Sequence, residues 1–88
     1  MKDGLFPPLF LAAVAENVPK KRSVHLYGHR TSVTLEPFFW RQLNEISAQK
    51  KISVQKIIEA IDHFQPNNLS SALRLFVLIE SMQQHPEK

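Results

Sequence analysis

Between residues 30 and 35 the chain alternates, with Thr31, Val33 and Leu35 on one side and Arg30, Ser32 and Thr34 on the other. A period of two predicts a half-buried strand. The surrounding stretch, residues 23–35, is rich in Val, Thr, Leu and Tyr, and Gly28 interrupts it where a bulge or bend is tolerated, so residues 24–27 read as a separate short strand. After Glu36 the period changes. Pro37 fits the first helical position, where no amide partner is lost, and Phe39, Trp40, Leu43 and Ile46 then recur at helical spacing, predicting a first helix over Pro37–Lys50. Ser53 is an N-cap for a second helix with a face of Ile57, Ile58 and Ile61, which Phe64 can extend, ended by Pro66, Asn67 and Asn68. A third helix, Leu69–Gln83, sets Leu69, Ala72, Leu73, Phe76, Val77 and Glu80 on one side and Leu75, Leu78 and Ile79 partly on the other. It is apolar around most of its circumference.

The N-terminal part is different in kind. Residues 5–15 are apolar, and Ala13, Val14 and Ala15 before Glu16 imitate the cleavage site of a secretory leader. Pro7 and Pro8 would break the short helix such a leader uses, and Lys2 is offset by Asp3. A bilayer span needs about 20 residues, so the stretch is too short to cross one. It reads as an arm with a short helix after Pro8. The basic run Lys20, Lys21 and Arg22 follows as a hinge or as part of the arm. The expected division is an arm over 1–22, a strand and two helices over 23–65, and a C-terminal helix and tail over 66–88.

One clear strand followed only by helices has unpaired backbone groups, and it must find a partner. The Gly28 region carries no Asn-Gly or Asp-Gly signal, so it makes a weak hairpin, whereas a second copy offers an antiparallel match. The expected fold is therefore mostly α with one β-strand per chain, as an intertwined homodimer whose two copies of residues 30–35 form one antiparallel ribbon. Thr31, Val33, Leu35, Phe39, Trp40, Leu43, Ile46, Ile57, Ile58 and Ile61 would form the shared core. Arg30, Ser32 and Thr34 would project together on the other face, doubled by symmetry. That face is the size of a ribbon that enters the major groove, where Arg takes guanine in bidentate fashion and hydroxyls bond either kind of base edge. An ordinary solvated strand face has the same residue types.

Composition narrows the classes. The 88 residues suit one domain, and so small a domain buries only about 60% of its unfolded surface, which favours self-association. Eleven Lys and Arg against eight Asp and Glu permit a nucleic-acid partner without demanding one. The absence of cysteine removes disulfides and thiolate zinc sites and suits a reducing, cytoplasmic setting. No nucleophile–base set, phosphate loop or carboxylate pair points to an enzyme, and no cofactor is expected. His25 and His29 are four apart, a spacing that aligns ligands on a helix, but they flank Gly28 in an extended segment, so no metal is expected. Phe38, Phe39 and Trp40 are better placed for a core than for stacking on bases, with Phe38 pointing outward.

The segment RTSVTLEPFFWRQLNEISAQKKISVQKIIEAID, ending at Asp62, resembles the ribbon-helix-helix superfamily of Arc-type and MetJ-type repressors. With the flanking KRSVHLYGHR and NLSSALRLFVL, residues 21–78 are similar to a family of short bacterial ribbon-helix-helix proteins presumed to be regulators. The resemblance implies sequence-specific binding of double-stranded DNA and transcriptional regulation, with Arg30, Ser32 and Thr34 facing the bases. It also implies that Ser53 and Val54, at the start of the second helix, hold a phosphate. Free amides and the positive end of a helix dipole suit an anion there, and Lys50, Lys51 and Lys56 are close enough in sequence to reinforce it. Lys20, Lys21 and Arg22 are expected on phosphates as well. The family's turn between the two helices carries Gly where this chain has Lys50 and Lys51, so a lysine must take the left-handed conformation at a cost of roughly 1 kcal/mol.

A different role is open to the arm and the third helix, which would bind another protein as an antitoxin's tail binds its toxin, through Leu69, Leu73, Phe76 and Glu80 or through Leu75 and Leu78. The plainer expectation is that both pieces enlarge the dimer core. Assembly beyond a dimer on DNA is left open by the sequence.

Overall fold

A computed structural model describes residues 2–83, so the tail over 84–88 lies outside the described residues. Helices α1 (Lys2–Leu5) and α2 (Pro8–Ala15) are followed by strands β1 (Lys20–Leu26) and β2 (His29–Leu35). Helices α3 (Pro37–Lys50), α4 (Val54–His63) and α5 (Leu69–Gln83) complete the chain. The ribbon-helix-helix order is present.

Two strands form a hairpin within the chain, where one strand per chain was expected. β1 and β2 pair antiparallel from Lys20 opposite Leu35 to Leu26 opposite His29. The connection is two residues long, and both have positive φ, 51° at Tyr27 and 88° at Gly28. That is the twist a two-residue hairpin needs, and Gly28 supplies the more extreme angle without a Cβ penalty. The Tyr27 hydroxyl, donating to the Glu59 carbonyl at 3.0 Å, fastens the turn to α4. The basic run is likewise the first half of β1 and not a hinge.

The helices begin and end where their caps require. Pro37 opens α3 behind an extended Glu36, and Lys51 closes it in the left-handed region at φ 58°, ψ 42°. The Ile52 amide then reaches back to the Ser47 carbonyl at 3.1 Å. Ser53 caps α4 by accepting the Lys56 amide at 3.0 Å. Asn68 caps α5 by accepting the Ser71 amide at 2.9 Å.

The core lies between the inner face of the ribbon and three helices. Val24, Leu26, Val33 and Leu35 meet Trp40, Leu43 and Ile46 of α3, Ile57 and Ile58 of α4, and Leu73 and Val77 of α5. Thr31, Phe39 and Ile61, expected in the core, are half-buried. The third helix is thus part of the same core as the ribbon, and a single chain encloses that core. Arg74 on α5 grips Glu36 ahead of α3 through two contacts, Nε–Oε1 at 2.9 Å and Nη2–Oε2 at 3.4 Å. Helix α2, by contrast, buries none of its residues.

Candidate nucleic-acid interface

Pairing within the chain decides what stands beside the expected base-facing residues. Opposed residues in an antiparallel ladder project on the same face. The register sets Lys21 opposite Thr34, Ser23 opposite Ser32 and His25 opposite Arg30. These six side chains make up the outer face, while Val24, Leu26, Val33 and Leu35 alternate with them into the core. Arg30, Ser32 and Thr34 do share a face, and their neighbours across the ladder within the chain are Lys21, Ser23 and His25. Sequence reasoning missed this second row because the basic run was read as a hinge; the alternation of Ser23 and His25 with Val24 and Leu26 was its signal.

The outer face is polar throughout and exposed except at Thr34, which is half-buried near the start of α5. The Thr34 amide donates to Ser70 Oγ there at 3.2 Å. Among the described residues no side-chain hydrogen bond or ion pair holds Lys21, Ser23, His25, Arg30 or Ser32, so their donors and acceptors face solvent. No acidic residue occurs between Glu16 and Glu36. The potential over the ribbon is therefore positive.

The remaining basic candidates divide. Lys20 and Arg22 stand in the row opposite Leu35 and Val33, toward the helices. The Arg22 guanidinium lies 4.5 Å from the centre of the Trp40 ring, and the Lys20 carbonyl accepts the Trp40 indole N–H at 3.0 Å. Arg22 therefore covers the core's largest aromatic ring with its own charge left in water. Lys21 alone of the three joins the outer face.

At the other candidate anchor, Ser53 and half-buried Val54 open α4. The Gln55 amide bridges from this first turn, donating to the His25 carbonyl on β1 and to Glu59 Oε2 at 3.1 Å. Gln55 thereby holds the α4 N-terminus against the strand that carries His25, bringing the two candidate patches together. Nothing in the sequence marked Gln55 for this role. Lys51 is exposed and unpaired among the described residues, whereas Lys50 is 3.4 Å from Glu80 and Lys56 is 3.7 Å from Glu59. Both pairs are open to water, so their lysines exchange readily to an anion of higher charge density.

His25 and His29 fall in rows on opposite faces of the ribbon and do not converge. No group of three or more His, Cys, Asp or Glu side chains among the described residues is placed to hold a metal. No helix among them is long and apolar enough to cross a membrane.

A family model described as a ribbon-helix-helix domain matches residues 19–81, from just before β1 to near the end of α5. Neither the curated proteins nor the solved structures contain a match.

Proposed function

The chain belongs to the ribbon-helix-helix domain family, and we propose that it is a transcriptional regulator that binds double-stranded DNA in a sequence-dependent way, with the outer face of its hairpin in the major groove. The observation that carries this reading is the six-residue face of Lys21, Ser23, His25, Arg30, Ser32 and Thr34, polar and cationic, on two strands that contain no acidic residue. A two-stranded ribbon fits the major groove, and this one offers a guanidinium, an ammonium, an imidazole and three hydroxyls to base edges and phosphates. Ser53, Val54 and Lys51 would take a backbone phosphate beside it, since amides at a helix start bind anions and Gln55 keeps that start next to the ribbon.

The protein works as a homodimer in this reading, because a short ribbon contacts too few bases to select a site, and two related by a twofold axis read two half-sites. The hairpin satisfies β2 along the edge that β1 occupies, so dimerisation is required for recognition and not for making the ribbon. The role is one of binding in the cytoplasm, with no catalytic step.

Fluorescence anisotropy with the protein's own upstream DNA and a random duplex, each at two salt concentrations, tests the proposal. Saturable binding that prefers the upstream duplex and weakens with salt is expected. Equal affinity for both duplexes would remove the sequence-reading role. Absence of binding would favour the rival adaptor reading, which draws on the exposed apolar faces of α2 and α5.

A further inference from the structure

A two-stranded ribbon twists more than a wider sheet and is only marginally stable by itself, so its outer face can aim side chains only where the strands are fastened. At the end where the chain enters and leaves, the Lys20 carbonyl accepts the Trp40 indole N–H and the Thr34 amide donates to Ser70 Oγ, which ties the ribbon to α3 and α5. The turn end, where His25 stands opposite Arg30, is tied to α4. The Tyr27 hydroxyl donates to the Glu59 carbonyl at 3.0 Å. The Gln55 side-chain amide donates both to the His25 carbonyl and to Glu59 Oε2, the latter at 3.1 Å. Both hydrogens of that amide are thereby used.

We propose that Gln55, oriented by Glu59, is a positioning residue for sequence reading: it sets the distance and angle between the start of α4 and the His25–Arg30 end of the reading face. The proposal rests on the DNA-binding reading given above and names what makes that binding selective. Three observations favour it. What α4 grips is a main-chain atom of β1, so the hold passes to the end of the strand and not to one rotamer. Gln55 is half-buried and the Glu59 side chain only 27% exposed, so the bonds are partly shielded from water. Gln55 also lies in the first turn of α4, two residues after the Ser53 cap that is proposed to take a phosphate.

Glu59 itself adds to the case. A carboxylate within two turns of a helix start that takes a phosphate weakens the anchor, and its bonds to Gln55 and to Lys56 at 3.7 Å give it an orienting role instead. Phosphate contacts fix register and base contacts specify. A duplex presents a phosphate and a base edge at a set separation, so a rigid link lets both contacts form together, whereas a loose one loses part of the second contact to ordering the hairpin. Random DNA, held through phosphates, needs no such link.

Fluorescence anisotropy with the upstream duplex and a random duplex of the same length compares the wild type with Gln55→Leu, which keeps the volume and removes the donors. The preference for the upstream duplex should fall about fivefold or more, the low end of what one well-formed base contact contributes, with the loss on the upstream duplex. Glu59→Gln retains an acceptor for the Gln55 amide and should keep the wild-type preference, a rescue that a role in charge would not give. Residual dipolar couplings of the free protein should fit the ribbon and α4 with one orientation in the wild type and in Glu59→Gln, and should show a displaced turn end in Gln55→Leu. Should Gln55→Leu unfold, Tyr27→Phe, which removes only a hydroxyl from an exposed side chain, carries the same comparison. A folded Gln55→Leu with the full preference overturns the inference, as does equal loss on both duplexes or a loss in Glu59→Gln as large as in Gln55→Leu. A wild type with no preference instead overturns the DNA reading on which the inference stands, a result distinct from all of these.

Discussion

Three residues other than glycine, Tyr27, Lys51 and Gln65, have positive φ, in the left-handed range that L side chains adopt only at a cost, and Gly28 joins them at 88°. Two of these sites give opposite expectations from one cause. A Cβ at Gly28 would meet no atom within 4 Å, so Gly28→Ala isolates the backbone penalty and should destabilise by about 1 kcal/mol. Lys51→Gly removes the same kind of penalty and should stabilise by up to about 1 kcal/mol, less the entropy a glycine loses on folding. Urea unfolding midpoints for the two variants should move in opposite directions. Arg30 is exposed and holds no partner among the described residues, so Arg30→Ala should leave the melting curve unchanged. It should weaken binding to a preferred duplex by about 1 to 3 kcal/mol, read by anisotropy against random DNA. Equal loss on both duplexes would assign Arg30 to phosphate.

Helices were legible in the sequence because their signals are local: Pro37 and Ser53 mark two starts, and the apolar spacing from Phe39 to Ile46 and from Leu69 to Val77 fixes the buried faces. The hairpin was not. Its turn, Tyr27-Gly28, lacks the usual residue pair, and Lys20 and Arg22 stand where apolar residues would have completed the inward alternation of β1. Arg22 can stand there because its guanidinium lies over Trp40, a contact that only the folded chain creates. For the same reason half of the candidate DNA face, the row of Lys21, Ser23 and His25, was hidden while the row of Arg30, Ser32 and Thr34 was readable. The third helix permits a sharp expectation at this scale. Leu73 is fully buried among residues of the same core, so Leu73→Ala should cost about 2 to 5 kcal/mol in urea unfolding, whereas a helix held free for a partner would lose almost nothing.

The tie between α3 and α5 has a pH signature. Arg74's hydrogen bond, followed by that of Glu36's own backbone amide, holds the Glu36 carboxyl below its ordinary 4.5. A carboxylate lowered by folding contributes stability that is complete above 4.5 and is lost as the pH falls through the lower folded value. Both partners are about one-third exposed, so the contribution is modest, on the order of 1 kcal/mol or less. Wild type and Glu36→Gln should therefore differ in urea midpoint at neutral pH and converge in acid. A difference that persists in acid would show that the glutamine disturbs packing and not charge.

For the whole molecule the decisive quantity is how many phosphates the two ribbons neutralise together. Net charge is only +3 per chain, so affinity cannot come from a diffuse positive field and must come from where the cations stand. Arg22 lies over Trp40, Lys20 stands in the row toward the helices, Lys50 and Lys56 are paired with glutamates, and on the outer face and at the start of α4 Lys21, Arg30 and Lys51 are exposed and unpaired among the described residues. If two copies bring these cations to DNA and use some of them on bases, roughly four to six phosphates are neutralised, and a plot of log binding constant against log salt should fall with a slope of about −4 to −5. Lys21→Gln removes one such contact from each copy and should make the slope shallower by about two in a dimer and by about one in a monomer. Gln is polar and the site is exposed, so folding should not change. A slope that Lys21→Gln leaves untouched would place Lys21 away from the backbone, and a change of about one would mean that a single ribbon engages the DNA. That second outcome, obtained with a protein that sediments as a dimer, would place the two outer faces too far apart for one duplex and call for a tandem arrangement, with each copy on its own site.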